Sequence, residues 1–277
     1  MSAVPSTQRL CYTVPVPLQR ILTHFDCCRM PKKVARKEDF DPPTLELDLE
    51  GFSPSNGDCD GIAVLLRHIF AGSAVNAVDL AKYIVSNNAC GTVVKPSADD
   101  DEAGSDDDDD QQIIFSLTTV ISLSSSESQK YSVIGHLKEF LKSIVIKAKP
   151  STAKDDVLGY LDSDSTHLCL FLNERFENLP LSVCADAVAA LPAEMKEANL
   201  SPTHLVLLSR AHKSVSDFTL DYAYPEIEHV LPFSVANVEV TTTTGCAEDN
   251  SDFNTYVILI IPMDRFSEVL DAMRRHL

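Results

Sequence analysis

Between Asp99 and Asp110 the chain carries nine acidic residues in twelve: Asp99, Asp100, Asp101, Glu102, then Ala103-Gly104-Ser105, then Asp106, Asp107, Asp108, Asp109 and Asp110. Charges this dense repel one another and bring no apolar area to bury, so the segment is expected to be a disordered loop. What flanks it constrains the fold. Cys90 to Lys95 reads as a short strand ended by Pro96, and strand-like sequence resumes at Ile113 and continues to Leu123. An acidic loop over 97–112 therefore interrupts a hairpin of Gly91–Lys95 with Ile113–Leu123.

The net charge of −18 is unevenly placed. Residues 1–37 hold seven basic residues and one acid, which leaves 16 basic and 40 acidic residues in the remainder. A field of that sign attracts basic proteins and repels nucleic-acid backbones and anionic membranes, so neither direct nucleic-acid binding nor membrane binding is expected. No window offers roughly 18 uninterrupted apolar residues for a membrane span. Ser105, followed by Asp106, Asp107 and Asp108, suits an acid-directed kinase; phosphate there would strengthen capture of Arg/Lys-rich partners, and an unmodified linker serine is the other reading.

Residues 1–43 read as a basic, disordered tail, broken by Pro5, Pro15, Pro17 and Pro31. Pro31 to Lys37, with Lys32, Lys33, Arg36 and Lys37, forms a short cluster of the nuclear-import type. A mitochondrial transit peptide and a plain solvated tail are the alternatives.

The folded part is expected over 44–277, as a single domain. Leu45, Leu47 and Leu49 alternate with Glu46, Asp48 and Glu50, a half-buried strand with one acidic face. Asp58 or Asp60 reads as the cap of a helix to about Phe70, and a second helix covers Val78 to Ser86. A helix from Tyr131 to Lys147 turns Ile134, Leu137, Leu141 and Ile144 inward. Further on come a strand at 166–172, a charged turn from Asn173, a helix near 182–198 and a strand at 203–209. An irregular stretch leads to strands at 235–243 and 255–261 and a closing helix from Met263 to His276. This alternation argues an α/β fold with a mixed sheet flanked by helices. With 44% hydrophobic residues, 7% aromatics and no Trp, its core must be mainly aliphatic.

The closest of the nine glycines, Gly57 and Gly61, are four apart, so no GxGxxG, Walker loop or nucleophile elbow exists, and no cofactor is expected. Asp162-Ser163-Asp164-Ser165-Thr166 has the DxDxT wording of aspartyl-phosphate enzymes, but it precedes a strand instead of following one and reads as a turn with an Asp cap. Asp58-Cys59-Asp60 reads as helix capping before a cation site. The eight cysteines contain no CxxC pair and read as reduced thiols of an intracellular protein, with Cys169 and Cys184 in the core. His24-x-x-Cys27-Cys28 lacks a second half with zinc-ligand spacing. Catalytic and metal residues are therefore none.

Several segments, in order, resemble the BCCIP family. They are Glu46 to Pro54 (ELDLEGFSP), Asp60 to Leu66, Gly91-Thr92-Val93-Val94-Lys95 followed by an acidic loop, Asn173 to Pro180 (NERFENLP), Leu231-Pro232-Phe233 and the final strand–Pro–helix. The resemblance covers roughly 44–277. It is weakest over 210–230, where the family shows a glutamate-rich stretch and this chain has Tyr222, Tyr224, Pro225, Glu226 and Glu228. Membership implies a nuclear protein without enzymatic activity, able to shuttle to the cytoplasm. It also implies a sheet resembling the GNAT acetyltransferase fold without a cofactor site. The resemblance implies a chaperone of a basic ribosomal protein, universal large-subunit protein fourteen, in ribosome biogenesis, beside other nuclear proteins as partners. In animal members it also implies roles in DNA repair and the cell cycle. The alternatives are a repair, cell-cycle or nuclear-export adaptor and a divergent acyltransferase. The partner surface is expected to include Asp99–Glu102 and Asp106–Asp110.

Overall fold

The computed structural model describes residues 12–17, 44–87, 89–97, 113–163, 166–176, 179–214, 219–241 and 255–275 of the 277-residue chain. Its strands are β1 (Tyr12–Pro17), β2 (Thr44–Phe52), β3 (Gly91–Pro96), β4 (Ser116–Ser122), β5 (Leu168–Arg175), β6 (His204–Lys213), β7 (Leu220–Tyr222), β8 (Ala236–Thr241) and β9 (Thr255–Pro262). The helices are α1 (Cys59–Arg67), α2 (Ala77–Ser86), α3 (Ser125–Lys130), α4 (Ser132–Ile146), α5 (Thr152–Asp162), α6 (Leu181–Glu197), α7 (Glu226–Val230) and α8 (Phe266–Arg274).

The strands join in one sheet of order β1-β2-β3-β4-β5-β6-β9-β8, with β7 paired to β6. Each described pairing is antiparallel except β5 with β6. The hairpin read across the acidic segment is β3 with β4, in register Gly91↔Thr119 to Val94↔Ser116.

Both faces of the sheet are covered, which is why the runs 168–172, 205–208 and 257–261 of its central strands are apolar at successive positions rather than alternating. Leu170, Leu172, Val206, Leu208, Ile258 and Ile260 point into the core under α1, α2, α4 and α5. Their neighbours Phe171, Leu205, Leu207, Val257, Leu259 and Ile261 point into a second core under α6, α7 and α8. Each such side chain, fully buried, contributes about 1.5–3 kcal/mol.

Four sequence expectations change. Residues 12–17 fell in the stretch read as a tail, yet they form edge strand β1, paired to β2 from Tyr12↔Leu49 to Pro17↔Thr44. An edge strand tolerates proline because one side of its backbone needs no donor, and Pro15 and Pro17 sit at alternate positions. Glu50 does not stay on a solvated acidic face: it is buried and accepts a hydrogen bond from Ser97 Oγ (3.1 Å). Asp58 stands at the N-cap of α1 without capping it; its fully buried carboxylate receives Ser55 N and Oγ (both 2.7 Å) and Lys95 Nζ (2.8 Å). Before β5 it is Ser163, not an Asp, that closes the turn, accepting from Thr166 N (3.2 Å). Asp164 and Ser165 lie outside the described residues.

Candidate functional site

The site grows from the end of β5. Its sequence, LCLFLNER, was expected to leave the sheet at Asn173, because charged residues follow an apolar run. Instead the ladder with β4 runs on to Arg175, opposite Ser116. β5 and β6 pair in parallel only from Leu168↔His204 to Phe171↔Leu207. Beyond that point β5 follows β4 and β6 follows β9, and the two diverge. β7 pairs with Ala211–Lys213 on the freed side of β6. Ala223 N then donates to Arg210 O (2.9 Å), which turns the chain into the wedge between the parallel strands.

Four residues lock that wedge. Arg175 Nη1 and Nη2 donate to Glu226 Oε1 (2.6 Å) and Oε2 (2.9 Å), and its Nε donates to Leu179 O (3.0 Å). The guanidinium stacks over the Tyr224 ring, 4.4 Å from the centroid. The Tyr224 hydroxyl accepts from Arg175 N (3.1 Å) and lies 2.8 Å from Glu174 Oε2 and 2.9 Å from Arg175 O, to either of which it donates. Glu174, Arg175 and Glu226 are only 4–5% exposed. Charges this deep persist only when paired and hydrogen-bonded, and a two-pronged Arg–carboxylate contact is the strongest such arrangement. The charges therefore end β5 inside the protein.

Burial raises the pKa of Glu174, opposed by Arg210, the Tyr224 hydroxyl and Arg175. Burial also pushes Tyr224 well above its ordinary value, helped by the Glu174 charge. For Arg175, burial works to lower the pKa, but its bonds to Glu226 outweigh it and the net shift is upward.

Ligands of open α/β sheets bind at the carboxyl ends of parallel strands, where the topology changes direction. Here that position is filled from within: the space among Phe171, Asn173, Tyr224, Glu226 and Ile227 is about 10 Å³, room for about one water. A nucleotide-sized ligand would have to displace Tyr224. Among the described residues, no group of three or more His, Cys, Asp or Glu is placed to hold a metal, and no helix is long and apolar enough to cross a membrane.

The acidic residues 99–102 and 106–110, Ser105, and the basic cluster of Lys32, Lys33, Arg36 and Lys37 all lie outside the described residues, as do His24, Cys27 and Cys28. The attachment points of the acidic segment are described. Ser97 N donates to Asp48 O (2.8 Å), and Phe115 N donates to Val94 O (2.8 Å). Phe115 in turn accepts from Phe176 N (3.0 Å), one residue beyond Arg175. The acidic segment therefore leaves and re-enters the fold at the sheet end that carries the Arg175 network. Sequence reasoning missed this network. Its two halves stand 50 or so residues apart, and the only hint of the second was the departure over 210–230, with Tyr224 and Glu226 in it.

The sequence model of the BCCIP family matches residues 44–226, from the first residue of β2 to the partner of Arg175. A Drosophila melanogaster BCCIP homolog is 27% identical over 157 residues, 56% of this chain and 52% of that protein. A Danio rerio BCCIP homolog is 24% identical over 258 residues, 83% of this chain and 84% of that protein. The Mus musculus BRCA2 and CDKN1A-interacting protein is 24% identical over 261 residues, covering 84% of this chain and 81% of its own length. The crystal structure of Saccharomyces cerevisiae BCP1 superposes with a TM-score of 0.56 at 15% identity, over 82% of this chain and 87% of that one. That likeness establishes a shared fold.

Proposed function

This chain belongs to the BCCIP family, and from that premise we propose that it is a non-enzymatic acidic adaptor that captures basic proteins. One observation carries the reading: a segment with nine acids in twelve residues is tethered at both ends, by Ser97 and Phe115, to a rigid sheet end closed by the Arg175–Glu226 pair. A tethered cluster of one charge raises the encounter rate with the opposite charge and competes with nucleic acid for the client. The rigid sheet end supplies shape beside it.

The client proposed first is a basic large-subunit ribosomal protein, universal protein fourteen, with nuclear residence through Lys32, Lys33, Arg36 and Lys37. The acidic composition of residues 38–277 supports that choice over a nucleic-acid partner. A second reading, an adaptor in DNA repair or the cell cycle, is favoured by the mouse relative, whose name states interaction with BRCA2 and CDKN1A.

The fold is proposed as a variant of the GNAT acetyltransferase sheet without a cofactor site. The diverging parallel pair β5 and β6, occupied by Tyr224 and Glu226, supports this and weighs against a divergent acyltransferase. Residues 44–277, with strand β1 added at the sheet edge, are proposed as one folding unit, on the strength of the continuous sheet from β1 to β8.

Co-expression of the full chain with the ribosomal protein, followed by gel filtration at moderate salt, tests the proposal. A soluble one-to-one complex is expected. An insoluble client beside an unaccompanied peak would remove the ribosomal client, and an unbiased nuclear pull-down would then test the second reading.

A further inference from the structure

A larger hollow lies at the opposite end of the sheet, where β4 ends and β5 begins. It is open to solvent on one side and has a volume of about 220 Å³. One water needs roughly 10–15 Å³ on the same measure, so the hollow has room for a ligand of several heavy atoms. Lys138 of α4, Tyr160 of α5, His167 before β5 and Asn199 and Ser201 after α6 line it, with Leu168 among its apolar contacts. Asn199 has a left-handed backbone (φ 55°), where the chain ends α6 through Leu200 N to Met195 O (2.8 Å).

These side chains offer donors. Among the described residues, the Lys138 amine, the Tyr160 hydroxyl, the Asn199 amide and the Ser201 hydroxyl make no hydrogen bond or ion pair. One turn along α4, by contrast, Lys142 is held by Asp162 at 2.7 Å. No Asp or Glu lines the hollow among the described residues. Among the described residues, a cation ringed by neutral donors with no carboxylate in the lining is unusual on a chain of net charge −18 and suits an anion. A phosphate monoester fits better than a carboxylate, because its three terminal oxygens accept from several donors at once.

The geometry points to this hollow, between the end of β4 and the turn after α6, as a binding site for a phosphate monoester, with Lys138 as its charge-bearing contact. The site is independent of the client surface at the other end of the sheet. It is tested on the full chain by calorimetry with inorganic phosphate, a short phosphoserine peptide and the same peptide unphosphorylated.

Saturable binding of a phosphorylated probe is expected, weakened about ten-fold or more in Lys138→Gln. Lys147→Gln, at the exposed end of α4, should bind as wild type. Binding of inorganic phosphate alone would assign a free anion; tighter binding of the phosphopeptide would assign a phosphorylated protein segment. Absence of saturable binding by both phosphorylated probes, or equal loss in the two lysine variants, would overturn the proposal. Amide NMR shifts in the wild-type chain remain decisive if Lys138→Gln fails to fold: movement at His167, Asn199 and Ser201 supports the site, and none there contradicts it.

Discussion

Arg175 and Glu226 are joined by two parallel hydrogen bonds, 2.6 and 2.9 Å long, across 51 residues of sequence, with both side chains almost fully buried. This contact holds the carboxyl end of β5 to the segment that fills the wedge beside β6. Removing one charge strands the other in a low-dielectric site, at a cost of about 3–5 kcal/mol. Glu226→Gln and Arg175→Met should each lose that much in urea unfolding. The double variant Arg175→Met/Glu226→Leu should recover a large part of the loss, since two apolar groups leave no charge unpaired. Single variants within about 1 kcal/mol of wild type would show that the pair does not hold the wedge.

Glu174 makes the stability of this region depend on pH. Burial raises its folded pKa above the unfolded value, so the folded state binds the proton more tightly. Its stabilising contribution is complete below the ordinary carboxylate pKa and is lost as pH rises through the raised folded value. Glu174→Gln, which mimics the protonated form and still accepts from Tyr224, removes this dependence. The stability of Glu174→Gln relative to wild type should therefore climb as pH is raised across that window. A difference that stays flat with pH would mean Glu174 does not titrate as its surroundings dictate.

Two glycines should respond oppositely to alanine. Gly91, at φ +152°, would place a Cβ 2.9 Å from Thr119 Cβ and Oγ1, and Gly91→Ala should destabilise by more than about 1 kcal/mol. Gly159, inside α5, faces open space, and Gly159→Ala should stabilise by about 0.5–1 kcal/mol through helix propensity. Thermal and urea unfolding of the two variants read both signs, and matching signs would contradict the placement of Gly91 against β4.

Thiol labelling should follow burial. Burial pushes Cys90 and Cys169 up to about 12 and raises Cys184, while Cys59 is half-exposed although its pKa is also raised by burial. Brief alkylation of the native protein near neutral pH, read by peptide mass spectrometry, should modify Cys59 ahead of these three. Faster labelling of Cys169 or Cys184 would show that the core under α6 opens readily.

Much of the fold was legible because short-range patterns carried it. The β3–β4 hairpin was readable from strand runs bounded by Pro96 and the acids, and α2 and α4 from their 3.6-residue apolar period. α5 escaped because it buries only Val157 and Leu161, too few to set a period. β1 escaped because its prolines and the basic surroundings signal loop, and only pairing with β2 makes it a strand. The end of β5 was misread for a related reason: Glu174 and Arg175 look solvated until Tyr224 and Glu226 arrive from about fifty residues away. Local sequence does not encode that meeting.

The central claim is that acidic charge tethered beside the Arg175 end of the sheet captures a basic client. Its most direct test is the rate of association of the full chain with the basic ribosomal protein, measured by stopped flow over a range of salt. The same measurement is made with Asp99–Glu102 and Asp106–Asp110 changed to their amides. The account predicts fast association that slows steeply with salt in the wild type, and slower association with a shallower salt dependence in the variant. Equal rates and equal salt dependence in the two proteins would contradict it.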